Sequence, residues 1–108
     1  MTYARVSIYE VKETLSGGRE SYALSEAPAY VCYAEVRELY GKELYDALEL
    51  GLKETAVFRV RFCRKIKEIC RELKKYRVVY DGMEYNLYAF DSGASDRRYV
   101  DLKGSVSR

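Results

Sequence analysis

A chain of 108 residues suits one domain, residues 1–108, and is too short for two. It has no histidine, and its three cysteines, Cys32, Cys63 and Cys70, form no CxxC pair. That excludes Ser-His and Cys-His nucleophilic chemistry and the common zinc-ligand sets. Net charge is only +2, but nine basic and two acidic residues fall between Arg59 and Arg77, leaving ten basic and fifteen acidic elsewhere. Such asymmetry seeks phosphate or an acidic protein surface. No apolar run reaches the ~20 residues needed to span a bilayer, so no membrane partner is expected. MTYARVSIYE lacks the apolar region of a signal peptide, which predicts a cytoplasmic product.

Tyr3 to Lys12 alternates, with Ala4, Val6 and Ile8 on one side, as a half-buried strand does. LSGGRES, Leu15 to Ser21, reads as a flexible loop because of its paired glycines. Tyr30 to Glu38 is a second strand, with Cys32, Ala34 and Val36 sharing a face. The period then becomes helical: Tyr40, Leu44, Ala47, Leu48 and Gly51 place a helix over about Lys42 to Leu50. Thr55 to Arg64 alternates again, with Ala56, Phe58, Val60 and Phe62 inward and Val57, Arg59, Arg61 and Cys63 outward. Ile66, Ile69, Cys70 and Leu73 repeat at i, i+3, i+4, i+7, a short amphipathic helix from about Arg64 to Lys74 with a basic outer face.

Asp81-Gly82 is a two-residue hairpin signal. A type I′ turn there pairs Tyr80 with Met83 and Val78 with Tyr85. It gathers Tyr76, Val78, Tyr80, Met83, Tyr85 and Leu87 on the inner face. DSGASD, Asp91 to Asp96, is a loop, and Arg98, Val100 and Leu102 alternate in a last strand before a loose GSVSR tail. The sum is a mainly β fold, a small antiparallel barrel or sandwich of about six strands. It has one helix or loop insertion after the second strand and a short helix after the third.

No spacing singles out a pair of carboxylates or a calcium loop, and no cofactor, metal or enzymatic activity is expected. Twelve tyrosines without tryptophan are the compositional oddity. Tyrosine suits protein interfaces, stacks on bases, and also fills half-exposed strand positions, which accounts for most of the twelve. A second reading is therefore a small nucleic-acid-binding module using the Arg59–Arg77 stretch and exposed tyrosines. A true binder of that kind weakens steeply with salt.

Taken in order, several motifs resemble the phage head–tail joining family, the head closure or stopper proteins of long-tailed bacteriophages. They are Tyr33-Ala34-Glu35-Val36, Gly41-Lys42-Glu43-Leu44-Tyr45, the run Glu54 to Phe62, Arg77 to Asn86 around Tyr80-Asp81-Gly82, and Arg97 to Leu102. Relatives often carry Ser as an N-cap where Tyr40 stands here, a difference worth roughly 1 kcal/mol of helix stability.

The resemblance implies a structural protein of the virion's head–tail junction. It would assemble with itself in a ring below a portal or adaptor ring and above a tail terminator or tail tube protein. Packaged double-stranded DNA would pass through without sequence-specific contact. It also implies that the segment between the second and third strands faces the channel and retains DNA: Tyr40, Gly41, Lys42, Glu43, Leu44, Tyr45, Asp46 and Glu49. From Glu35 to Glu54 six acids stand against three bases, and an acidic lining would keep DNA from adhering. Subunit contacts are expected from Arg59, Arg61, Arg64, Lys67, Arg71, Arg77 and Tyr88.

Overall fold

The computed structural model describes residues 2–16, 19–52, 54–92 and 98–106. It contains β1 (Thr2–Ser16), β2 (Arg19–Leu24), β3 (Tyr30–Arg37), α1 (Lys42–Glu49), β4 (Thr55–Arg61) and α2 (Arg64–Arg71). A 3₁₀ turn, Leu73–Lys75, then leads to β5 (Tyr76–Tyr80), β6 (Met83–Asp91) and β7 (Tyr99–Val106). All pairings are antiparallel. The order β1-β3-β4-β7-β6-β5 closes on itself because β5 also pairs with β1, Ser7 opposite Val79 and Ile8 opposite Val78. The result is a six-stranded barrel, and its six strands are those the alternation predicts.

Alternation fills the barrel. Val6, Ile8, Ala34, Ala56, Phe58, Val60, Val78, Leu87, Val100 and Leu102 form one buried cluster. Helix α2 closes one end, because Ile66 and Ile69 enter that same cluster fully buried. Both chain ends of the barrel and the β5–β6 turn lie at the other end.

The hairpin register is the predicted one: Tyr80 faces Met83 and Val78 faces Tyr85. Asp81 and Gly82 both have positive φ, 52° and 76°, as a type I′ turn requires. Gly82→Ala is expected to cost about 1–2 kcal/mol, because a side chain at that φ meets the following carbonyl. A urea titration measures it, and an unchanged midpoint would refute the turn assignment.

Five expectations need correction. The LSGGRES stretch is not a loop: β1 runs on to Ser16 and pairs with β2 from Val11–Leu24 to Ser16–Arg19. Only Gly17 and Gly18 lie outside the described residues. Among the described residues there are thus seven strands, the additional one lying outside the barrel. The tail is not loose up to Val106, since Gly104 to Val106 complete β7 against β4 and β6. Gly104 sits there because a Cβ would come within 3.0 Å of Tyr85 Cβ and 3.2 Å of the Asn86 carbonyl oxygen. Phe62 is not inward: β4 ends at Arg61, so the alternation lapses and the ring is 44% exposed. Met83 is likewise exposed, because it stands beside the turn at the rim. Finally, Asp91 belongs to β6, and the rest of the DSGASD stretch from 93 onward lies outside the described residues.

Candidate functional site

Helix α1 lies on the outer wall of the barrel, and the strand register explains how it is held. Arg37, Val57 and Lys103 stand side by side on β3, β4 and β7, all pointing outward. Val57 is an apolar residue on a polar face, and it is fully buried because α1 and its flanks cover it. Leu39, Ala47 and Leu52 make that small cluster. On either side of it Glu43 reaches back to a cation. Arg37 donates from Nη1 and Nη2 to its two carboxylate oxygens at 3.0 and 3.3 Å. Lys103 Nζ lies 3.3 Å from Oε1.

A second row extends the network. Arg59 and Asp101 are opposite on β4 and β7, and Arg59 Nε donates to Asp101 Oδ1 at 2.8 Å. Asp101 Oδ2 is also 3.6 Å from Arg37 Nη2. Two carboxylates and three cations thus share one partly buried face. The hydrogen bonds from Arg37, together with the Arg37 and Lys103 charges, hold the Glu43 carboxyl below the usual carboxylate range despite its burial.

The helix starts without a side-chain cap, and Gly41 adopts φ 62° and ψ −134°, a conformation open in practice only to glycine. Arg37 also lies 5.2 Å over the Tyr40 ring, which pins the approach to α1. The apolar side of α1 differs from the pattern a core-facing helix shows. Only Ala47 is buried, whereas Tyr40, Leu44, Tyr45, Leu48 and Leu50 are exposed. Asp46 and Glu49 are exposed among them. The predicted channel-facing residues therefore form one projecting unit, with Glu43 turned inward as its fastening.

The seven basic or aromatic residues expected at a subunit contact do not form one patch. Arg64, Lys67 and Arg71 are exposed on α2 at the closed end of the barrel. Arg59 and Arg61 are on β4, while Arg77 is on β5, across the barrel, and bridges to Glu84 at 3.4 Å. Tyr88 sits at a bulge in β6 beside α1, where burial and the nearby Glu43 charge push its hydroxyl pKa up. Lys65 and Lys75 pair with Glu68 and Glu72, so Arg64, Lys67 and Arg71 carry the excess charge of α2.

The thiols are half-buried and unbridged. Cys63 precedes α2 and its Sγ donates to the Tyr30 hydroxyl at 3.4 Å. Burial raises the Cys63 pKa, but the Tyr30 hydroxyl and the Ile66 and Lys65 amides outweigh it and lower it overall. Burial pushes Cys32 up to about 11. Among the described residues no three His, Cys, Asp or Glu side chains are grouped to hold a metal, and no helix is long and apolar enough to cross a membrane.

The sequence reading missed Arg37, Asp101 and Lys103, which position α1. The available signal was an acid, Asp101, between two apolar residues of a strand, Val100 and Leu102. Such an acid needs a partner when buried. Compared with known proteins, residues 3–106 match the model of a family described as "Phage head completion protein". No curated protein matches the chain.

Proposed function

Because that match spans nearly the whole chain, which therefore belongs to the phage head completion protein family, we propose that it assembles as a ring that closes the head and retains DNA. The family is one of structural virion proteins acting with other head and tail proteins. In the proposed arrangement the ring lies between a portal or adaptor ring and a tail terminator or tail tube protein. Packaged DNA runs through the middle.

The observation that carries this reading is the attachment of α1. A rigid closed barrel holds, on its outside, an eight-residue helix that buries one alanine and exposes its larger apolar side chains. A wall element of that kind adds little apolar burial to the isolated fold. It suits a surface completed by neighbouring copies, with exposed Asp46 and Glu49 repelling a passing phosphate backbone. The basic residues of α2, with Arg61, are the proposed contact to acidic parts of an adjoining copy. Ring contacts join two different patches of the same chain, and these are separated on the barrel as such contacts need.

Replacing Lys42–Leu50 by a short glycine linker tests the retention role. Heads completed with this variant are expected to lose DNA before tails join, read as nuclease-sensitive DNA released from purified heads. Full retention would overturn the proposal. Because α1 buries so little, the barrel should survive the replacement, and its melting midpoint serves as the control.

A further inference from the structure

Strand β1 is fifteen residues long, and only its first part belongs to the barrel. Its pairing with β3 ends at Ile8 and with β5 at Glu10. From Val11 to Ser16 its sole partner is β2. The two strands form an arm of six residue pairs, about 20 Å long at the rise of an extended chain. It leaves the barrel at the end closed by α2. The molecule is correspondingly long, 48 × 32 × 24 Å.

Every barrel strand has a neighbour on both sides, and the stretches left unpaired, such as Thr2–Val6 on the β5 side of β1, are shorter than the edges of the arm. The arm has two, and among the described residues neither has a strand partner. A two-stranded ribbon is marginal in water by itself, and an open edge is a template for another strand. The direction of the backbone groups follows from one bond. Ser25 N–H donates to the Glu10 carbonyl at 2.9 Å. Antiparallel pairing alternates, so Lys12–Ala23 and Thr14–Ser21 bond within the arm. Val11, Glu13 and Leu15 therefore turn their N–H and C=O groups to one outer edge, and Glu20, Tyr22 and Leu24 turn theirs to the other.

We propose that the arm pairs edge to edge with the arm of a second copy, β2 of one chain against the distal half of β1 of the next. Among the described residues the longest open edges a neighbouring copy offers are those of its arm, which makes the arm the partner. The geometry also suits a ring. Rotation about an axis along the arms carries one arm onto the next without reversing it, so β2 of one copy meets β1 of the next antiparallel. Repetition around the ring continues the alternation within each arm and removes both open edges at once. This rests on the ring reading but does not involve α1.

Tyr22→Pro removes an outward N–H, whereas Ala23→Pro removes a bond inside the arm. Tyr22→Pro is expected to melt as the parent does and to reduce the copies retained on heads by about tenfold, the loss of one hydrogen bond per contact. Retention equal to the parent's would overturn the pairing. Should the variant fail to fold, the parent protein decides. Heads are completed with equal amounts of isotopically light and heavy chain, then cross-linked between amines and carboxylates. Mixed-isotope links within residues 11–24 are expected. Several copies per head with only single-isotope arm links would overturn the arm pairing alone. Single copies per head would overturn the ring with it.

Discussion

Phe58→Ala is expected to lower the unfolding free energy by about 3–5 kcal/mol. Phe58 has no exposed surface and lies edge-on to Tyr85 at 5.1 Å and to Tyr80 at 6.0 Å between ring centroids. These contacts join β4 to both strands of the β5–β6 hairpin across the barrel interior. Truncation leaves a cavity that closed walls cannot collapse to fill, so the upper part of that range applies. Phe62→Ala, four residues on and substantially exposed, is expected to change stability by only about 0.5 kcal/mol. Urea denaturation of the two variants gives the comparison. Equal losses would show that the chain leaves the barrel later than Arg61.

Glu43→Ala is expected to release α1 while leaving the barrel intact. The substitution removes the acceptor of two Arg37 hydrogen bonds and the partner of Lys103, at about 1.5–3 kcal/mol. Against this stands only the burial of Ala47, Leu39 and Val57. Amide exchange should therefore rise in Lys42–Glu49 and stay constant in β4 and β7. Acid should do the same to the parent protein. The folded carboxyl titrates below its ordinary value, so its stabilising contribution is present above about pH 4.5 and fades as pH falls through the lowered value. Slow exchange in α1 for Glu43→Ala would show that apolar contact alone holds the helix.

Local rules carried the reading where partners are near in sequence. The β5–β6 register follows from Asp81-Gly82, because two residues with positive φ leave one way to pair the flanks. The pairing of Val11–Ser16 with Arg19–Leu24 was harder to foresee, because paired glycines between polar residues also fit a loop, and RESYAL alternates weakly. Gly104 and Ser105 look like tail residues by composition. Their place in β7 depends on how closely Tyr85 and Asn86 approach, which composition does not carry.

The α1 attachment was the least legible part. Helical spacing locates the element to within a residue of its end, yet places its apolar stripe against a core. Only Ala47 reaches one. Glu43, Arg37, Asp101 and Lys103 meet through strand pairing between distant segments, so the function of each depends on register rather than on its neighbours. Val57 shows the same limit: alternation points it outward correctly, and only the covering helix makes it buried.

The seam between β1 and β5 has a kinetic consequence. Ser7 and Val79 are roughly seventy residues apart in sequence. The β5–β6 hairpin can form within about 1–10 μs of its synthesis, whereas joining the first strand to the fifth requires closing a loop of about two-thirds of the chain. Topologies dominated by such distant pairings fold in milliseconds to seconds. During translation β1 must wait, unsealed along its β5 side, until Tyr76–Tyr80 emerge from the ribosome. A nascent chain halted before Tyr76 would keep that edge open, and the step that makes the wall continuous is therefore among the last to occur.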